Sequence, residues 1–245
     1  MKKSVLILRL CFILLAACQS AQPPSQEGQA SGAAPSAQAP NVQSSGNLCD
    51  NPYMPAVEGA TWTYDLITDS GIVTQTDTVT DVGTDAFLVE TQQPDLNWVI
   101  TWHCSPEGLY WLQSDGGMFA AIFQSDAGTA TVETLSNSGV SLPTNVQPGD
   151  NWTTTEEIHV VGFGVDETFN ISAEIHAVGM ESVTVPAGTF DALRIDYVIS
   201  NTSQTLPVTI ESSSWFAEGV GQVKNSNVAN GSINSGLELT AYAIP

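Results

Sequence analysis

Apolar and polar positions alternate along most of the chain after residue 47, and this alternation is its main structural pattern. In residues 61–66 the side chains of Trp62, Tyr64 and Leu66 fall on one face. A period of two is typical of a strand with one buried face. It predicts about a dozen short antiparallel strands. The same alternation recurs in runs that Gly, Asn, Asp and Pro separate, at 97–104, 192–200 and 237–241.

These strands predict an all-β fold built from antiparallel curved sheet, as an open barrel, a half-barrel or a sandwich. No ten-residue stretch of the β-rich part has a convincing 3.6-residue period. Residues 118–127 are the best helical candidate. Gly116, Gly117 and Gly128 bound this segment so closely that a strand fits it equally well.

A short motif occurs twice and indicates an internal duplication. Residues 59–63 and 149–153 share the pattern Gly-x-x-Trp-Thr, and each opens a β-rich stretch. The repeat predicts two related β-units, residues 48–140 and 141–245. The alternative is a common turn followed by a core tryptophan, in which glycine supplies the turn geometry and tryptophan anchors the packing.

The N-terminal residues have the features of an export signal. A start with Lys2 and Lys3 precedes an apolar run over 5–15, which is too short to span a bilayer as a mature helix. The following Leu-Ala-Ala-Cys resembles the lipobox of bacterial lipoproteins. That resemblance implies a signal peptide over 1–17 and lipidation of Cys18, which cleavage leaves as the first residue. The alternative is an ordinary cleaved signal with an incidental cysteine.

A polar segment separates this signal from the β-rich domain. Residues 18–46 are rich in Ala, Gln, Ser and Pro and carry one charge, Glu27, so we expect a disordered tether ahead of a globular domain over 47–245. The residue after the lipidated cysteine is Gln19, which in bacteria with two membranes resembles lipoproteins sent to the outer membrane. The sequence therefore predicts an extracytoplasmic protein of the cell envelope, lipid-anchored to the cell membrane or the outer membrane.

The charge balance narrows the classes of partner. The chain has five Lys and Arg against 26 Asp and Glu, and only Arg194 and Lys224 follow the predicted signal peptide. Such an acidic surface excludes nucleic-acid binding and polybasic docking to anionic lipids. We therefore expect a self-repelling monomer that membranes hold only through its N-terminal lipid.

Two cysteines remain in the globular domain, Cys49 and Cys104. Export permits a disulfide between them, which would tie the start of the domain to a core strand. A loop of about 55 residues implies about 4 kcal/mol of stabilisation by the chain-entropy estimate. The alternative is a pair of buried free thiols. With no Cys-x-x-Cys motif and no Cys/His cluster, the sequence predicts neither a metal site nor a cofactor.

Candidate catalytic residues are few. The chain lacks a Gly-x-Ser-x-Gly elbow, and His103, His159 and His176 each lie within a strand pattern. Asp77 and Asp81 share a face of one Thr-rich strand, which predicts solvated surface.

Arg194 has two interpretations. It either pairs with Asp196 or a cross-strand carboxylate on the outer face, or it orients an anionic ligand inside a concave sheet. The first interpretation is the favoured one.

Two C-terminal motifs resemble a known group of proteins. Residues 183–195 read VTVPAGTFDALRI and residues 215–224 read WFAEGVGQVK. With Gly-x-x-Trp-x-Tyr at 59–64, they resemble a widespread group of bacterial exported β-proteins of unknown function. The resemblance implies antiparallel sheets that curl towards an open barrel, similar to the lipoprotein-localisation-factor-like half-barrels that bind lipid on their concave face. The lack of basic residues argues against a phospholipid ligand here.

Together these features predict a membrane-anchored lipoprotein with a non-enzymatic binding or structural role. In its specific form, the curved sheet holds an apolar small molecule. One alternative is an adhesion or partner-binding module whose acidic surface meets a basic protein or divalent cations. A hydrolase with an unrecognised site is the third.

Overall fold

In the computed structural model, the described part of the chain comprises residues 47–116, 131–162, 164–203, 207–231 and 233–245. The predicted signal peptide (1–17), the tether (18–46) with Cys18, and the helical candidate at 118–127 lie outside these residues. No helix that could span a bilayer occurs within them.

Thirteen strands account for most of the described chain, and no helix occurs among its residues. The all-β prediction is therefore confirmed. The strands are β1 (Thr61–Thr68), β2 (Gly71–Val82), β3 (Ala86–Gln93), β4 (Leu96–Cys104), β5 (Gly108–Gly116), β6 (Thr131–Ser138), β7 (Leu142–Pro143), β8 (Asn151–Gly162), β9 (Val165–Val185), β10 (Gly188–Asn201), β11 (Val208–Ala217), β12 (Gly221–Ala229) and β13 (Ile233–Ala243).

All thirteen strands belong to one antiparallel sheet with the order β6-β8-β9-β10-β11-β12-β13-β1-β2-β3-β4-β5-β7. Each half of the chain forms a meander of five strands, β1 to β5 and β8 to β12. The next long strand after each meander pairs with the first strand of the other half: β13 with β1, and β6 with β8. This order has the two-fold repetition that duplicated units over 48–140 and 141–245 would give, and the duplication itself stays a prediction.

The sheet curves until its two ends approach each other. The β5 and β6 strands form no ladder within the described residues, but side chains connect this region. The backbone N–H of Gln113 on β5 donates to Glu156 Oε1 on β8 at 2.9 Å, and Thr134 Oγ1 on β6 lies 2.8 Å from Ser114 Oγ. The sheet is thus curved and nearly closed on itself, but it does not complete a barrel.

The repeated motif adopts the same turn in both halves. Gly59 and Gly149 have φ angles of 83° and 92°, in the left-handed region that favours glycine. The N–H of Gly59 donates to the carbonyl of Val79 at 2.9 Å, and that of Gly149 donates to the carbonyl of Ala177 at 2.6 Å. Glycine therefore supplies the turn geometry that the sequence predicts at both positions.

The tryptophan of each motif anchors a loop through its indole N–H. Trp62 Nε1 donates to the carbonyl of Val220 at 2.6 Å, and Trp152 Nε1 donates to the carbonyl of Val140 at 2.9 Å. A buried indole that satisfies its donor in this way contributes its large apolar area without leaving a polar group unpaired.

The segment before β1 crosses one end of the sheet, at which the β4–β5 and β11–β12 turns lie. Cys49 and Cys104 are both buried and form a disulfide bond. The N–H of Gly219, in the β11–β12 turn, donates to the carbonyl of Pro52 at 2.7 Å. In the strand order, this turn is several strands away from β4, which carries Cys104. The segment therefore ties β4 in one half to the β11–β12 turn in the other.

Candidate functional site

A cavity of about 450 Å³ lies on the concave face of the curved sheet. Its size is within the range of roughly 300–1,000 Å³ that is usual for small-molecule sites. Its walls come from the inward positions of alternating strands, so the period of two that predicts the strands also builds the site. The inward positions of the first four strands that line it are Trp62 and Tyr64 on β1, Gln75, Asp77 and Val79 on β2, Phe87, Val89 and Thr91 on β3, and Trp98, Ile100 and Trp102 on β4.

One wall of the cavity is aromatic. Phe87 and Trp102 are cross-strand partners on β3 and β4, with stacked rings and centroids 6.2 Å apart. Trp102 is also paired with Trp111 on β5, and Trp62 and Trp98 complete the wall. These rings line the cavity and leave it open. They give the site a large apolar contact area with little rotational freedom to lose on binding.

Strands β11 and β12 contribute a cluster of polar side chains that hydrogen-bond to one another. Asn225 Nδ2 donates to Ser212 Oγ and Ser214 Oγ, each at 3.0 Å, and Gln222 Nε2 donates to Ser214 Oγ at 3.0 Å. The hydroxyl of Tyr64 donates to the backbone carbonyl of Gln222 at 3.0 Å. Burial raises the pKa of Tyr64 well above its ordinary value, and the negative charge of Asp77 adds to the shift. The phenol is therefore neutral and keeps its proton for this bond.

Tyr197 on β10 also lines the cavity. Its side chain has no hydrogen-bond partner among the described residues, and burial raises the pKa of its phenol far above the ordinary value. The hydroxyl is therefore a neutral polar group that a bound molecule could engage.

Asp77 corrects one expectation from the sequence. Asp77 is partly buried in the cavity wall and is not part of a solvated outer surface, whereas Asp81 is exposed as the sequence predicts. The β2–β3 pairing shifts register between Val79 and Asp81, which turns Asp81 outward, where it is exposed. Gln75 Nε2 donates to Asp77 Oδ1 at 3.1 Å, and burial raises the pKa of Asp77 to about 6, against a smaller lowering by its hydrogen bonds to Thr91 and Gln75.

A second carboxylate, Glu156, lines the cavity from β8. It accepts hydrogen bonds from Thr134 Oγ1 at 2.8 Å and from the N–H of Gln113 at 2.9 Å. Burial is the main cause that raises the pKa of Glu156, and the charge of Asp115 raises it further. These bonds also hold β5, β6 and β8 together where the sheet does not close.

The two cations of the globular domain lie outside the cavity. Arg194 donates to Asp196 through Nε at 2.8 Å and lies 3.5 Å from Glu181, and Lys224 donates to Glu238 at 2.9 Å. The structure therefore pairs Arg194 as in the first interpretation from the sequence. The hydrogen bond to Asp196 is the main cause that raises the pKa of Arg194. Both cations also approach one ring, with Arg194 Cζ 5.6 Å and Lys224 Nζ 5.9 Å from the centroid of Trp215.

Two histidines form pairs with carboxylates outside the cavity. His103 Nε2 lies 2.6 Å from Asp115, and His159 Nε2 lies 2.9 Å from Asp166. In the hydrogen bonds of the described residues, neither imidazole contacts a serine, threonine or cysteine side chain. The same residues contain no group of three or more potential metal ligands. The site geometry thus gives no positive indication of an enzymatic activity.

Sequence reasoning missed the polar members of the cavity wall. The alternation of Gln75, Asp77 and Val79 already places these three side chains on one face, and Val79 marks that face as buried. Extending the period of two from Val79 back to Asp77 would have identified a carboxylate on the inward face of β2. Trp111 was missed because the sequence pattern of β5 was not identified as a strand.

The fold and the site together define a class: a single-sheet, all-β protein with an internal cavity. Residues 129–239 match the family model described as DUF3108-like. The match confirms the resemblance to a β-rich family of unknown function and covers most of β6 to β13. Among curated proteins, no significant match to the chain was found.

Solved structures of exported proteins share the fold. A proposed exported protein with a YmcC-like fold from Bacteroides fragilis matches with a TM-score of 0.50 and 16% identity, over 79% of this chain and 100% of the other. A proposed lipoprotein from Parabacteroides distasonis matches with the same TM-score and identity, over 79% of this chain and 99% of the other. At this level of identity, the two matches show a shared fold.

Proposed function

We propose that this protein is a lipid-anchored, extracytoplasmic lipoprotein that binds a small, largely apolar molecule in the cavity of its curved sheet, without catalysing a reaction on it. The observation that carries the proposal is the cavity of about 450 Å³, which aromatic side chains line and do not fill. An unfilled apolar cavity lowers the stability of a protein. A ligand that occupies the cavity would offset this loss, which favours a binding role for the cavity.

The anchoring part of the proposal rests on the lipobox at 15–18 and on the description of one structural relative as a proposed lipoprotein. Since only two cations remain after the predicted signal peptide, electrostatic attraction to anionic lipids cannot replace the lipid anchor. Replacing Cys18 with Ser should therefore release the protein from membranes into the soluble fraction. Tight membrane association of this variant would contradict the anchoring proposal.

The binding part can be tested by filling the cavity. Ala173 on β9 is buried and lines the cavity, so Ala173→Phe should occupy the ligand volume. Titration of a fluorescent apolar probe against the Cys18→Ser chain should saturate at one probe per protein. The Ala173→Phe substitution should weaken that binding at least about tenfold, because added bulk in a formed cavity displaces its contents.

The matched control is Ala241→Phe, which makes the same change at an exposed position of β13. This variant should bind the probe as the unmodified chain does. The absence of saturable binding to the unmodified chain, or an equal loss in both variants, would contradict the proposed function.

A further inference from the structure

The charges that line the cavity are all of one sign. Its lining includes the carboxylates of Asp77 and Glu156, and within the described residues it includes no lysine, arginine or histidine. Arg194 and Lys224 pair with carboxylates outside it. A ligand that enters this cavity therefore meets negative charge without any protein cation to balance it.

Asp77 in particular has no counter-charge. Its side-chain hydrogen bonds come from the neutral groups of Gln75 and Thr91, and no ion pair to it occurs in the described part of the chain. The groups that face it from the neighbouring strands are Trp62 and Tyr64 on β1 and Thr91 on β3, none of them cationic. A partly buried carboxylate without a nearby cation is destabilising, and a cationic ligand group would offset that cost.

The neighbours of Asp77 are suited to a cation in a second way. Trp62 lies directly across from Asp77 in the β1–β2 pairing, and Trp98 lies across from Thr91 in the β3–β4 pairing. Both rings line the same cavity. Indole faces attract ammonium groups, and this attraction is strongest where water is excluded. A carboxylate bordered by indole rings is the arrangement that recognises an ammonium group in apolar surroundings.

Resting on the proposed function, we infer that the ligand class is a cationic amphiphile: an apolar molecule that carries an amine or quaternary ammonium group, which Asp77 and the adjacent tryptophans bind. Neutral molecules of the same shape bind more weakly because they leave Asp77 without a counter-charge. Anionic amphiphiles such as fatty acids bind most weakly because their carboxylate would lie near Asp77 and Glu156.

Three ligands of one chain length test the inference: decylamine, decanol and decanoate, each below its micelle concentration, displacing the fluorescent probe from the Cys18→Ser chain at pH 7.5. We expect decylamine to bind at least about tenfold more tightly than decanol, and decanoate to bind more weakly than decanol. This comparison needs no further substitution, so it remains decisive if a variant fails to fold.

Asp77→Asn then identifies the group responsible. It should bring the affinity for decylamine down to that for decanol, while the affinity for decanol stays within about twofold. Asp81→Asn is the matched control: it removes the same charge from the same strand, at an exposed position, and should leave all three affinities unchanged.

The outcomes separate the inference from the proposed function. Binding of decanol that equals or exceeds that of decylamine, tighter binding of decanoate, or an equal effect of Asp77→Asn and Asp81→Asn would overturn the inference and leave the apolar binding site in place. If none of the three ligands displaces the probe and the probe itself does not saturate, the proposed function fails and the inference fails with it.

Discussion

The two halves of the sheet share one strand order, but they place corresponding tryptophans on opposite faces. Trp102 lies two residues before the end of β4 and lines the cavity. Trp215 lies two residues before the end of β11 and contacts Arg194 outside the cavity. Along β11 the cavity-lining positions are Ser212, Ser214 and Phe216, so the regular alternation puts Trp215 on the outward face. In a strand with a period of two, a difference of one position decides whether a side chain faces the cavity or the outer surface.

The consequence is a division of roles between the halves. The first half gives the cavity its tryptophans and Asp77, and it is tied by a disulfide. The second half directs its cations outward, where they pair with carboxylates around Trp215. The tryptophans that line the cavity are thus all in the first half, and the ion pairs of Arg194 and Lys224 are in the second. Three variants test this difference, from the largest expected effect to the smallest.

The disulfide should have the largest effect on stability. Cys49 and Cys104 are 55 residues apart in sequence, and opening a loop of that length should lower the free energy of unfolding by about 4 kcal/mol. Urea titration of the Cys49→Ser, Cys104→Ser double variant measures this loss. Reducing the unmodified protein should give the same loss, and reductant should not affect the variant. A variant within about 1 kcal/mol of the unmodified protein would show that the bond does not stabilise the first half.

Substitution of Asp77 should have an intermediate effect on the free energy of unfolding, and this effect should depend on pH. Because burial raises its pKa to about 6, the folded protein binds more protons than the unfolded chain between about pH 4 and 6. Stability should therefore fall as the pH rises through that window. Asp77→Asn should raise the free energy of unfolding at pH 7.5 by about 2 kcal/mol and have only a small effect near pH 3.5, where Asp77 is mostly protonated in both states.

Thermal unfolding at the two pH values measures this difference. Asp81→Asn again serves as the control, because its exposed carboxylate should change the midpoint little at either pH. A stabilisation by Asp77→Asn that is equally large at pH 3.5 would show that loss of a buried charge is not its cause.

Substitution of Arg194 should have the smallest effect on the free energy of unfolding, because its ion pairs lie on the outer face of the sheet. Arg194→Met removes the ion pairs to Asp196 and Glu181, which are partly exposed, and should lower the free energy of unfolding by about 1 kcal/mol or less. This loss should shrink in 1 M salt. Probe affinity should not change, and a loss of affinity beyond about threefold would show that the second half also contributes its charge to binding.

The sequence predicts the local features of this fold well. Alternation around Trp62 and Trp98 identifies strands and their buried faces, and Gly59 and Gly149 identify turns. These features depend on near neighbours in the chain, which a single sequence shows directly.

What the sequence does not reveal depends on distant contacts. The register shift that turns Asp81 outward leaves no mark on the alternation of the strand. The same holds for the hydrogen bond from Gln113 to Glu156, which joins β5 to β8, and for the volume that Trp102 and its neighbours leave open. Each of these features depends on how several strands pack together and on the space left between their side chains. The strand propensity of individual residues carries no information about either.

The position of β13 between β12 and β1 also constrains the order of folding. Thr61 at the start of β1 pairs with Ala243 on β13, so one edge of β1 has no ladder partner until β13 has been delivered. A chain exported from its N-terminus onward therefore carries β1 with an open edge until β13 follows it. Pairings this distant in sequence fold slowly, and an unpaired edge is a site for association with other chains. Completion of the sheet therefore depends on delivery of β13.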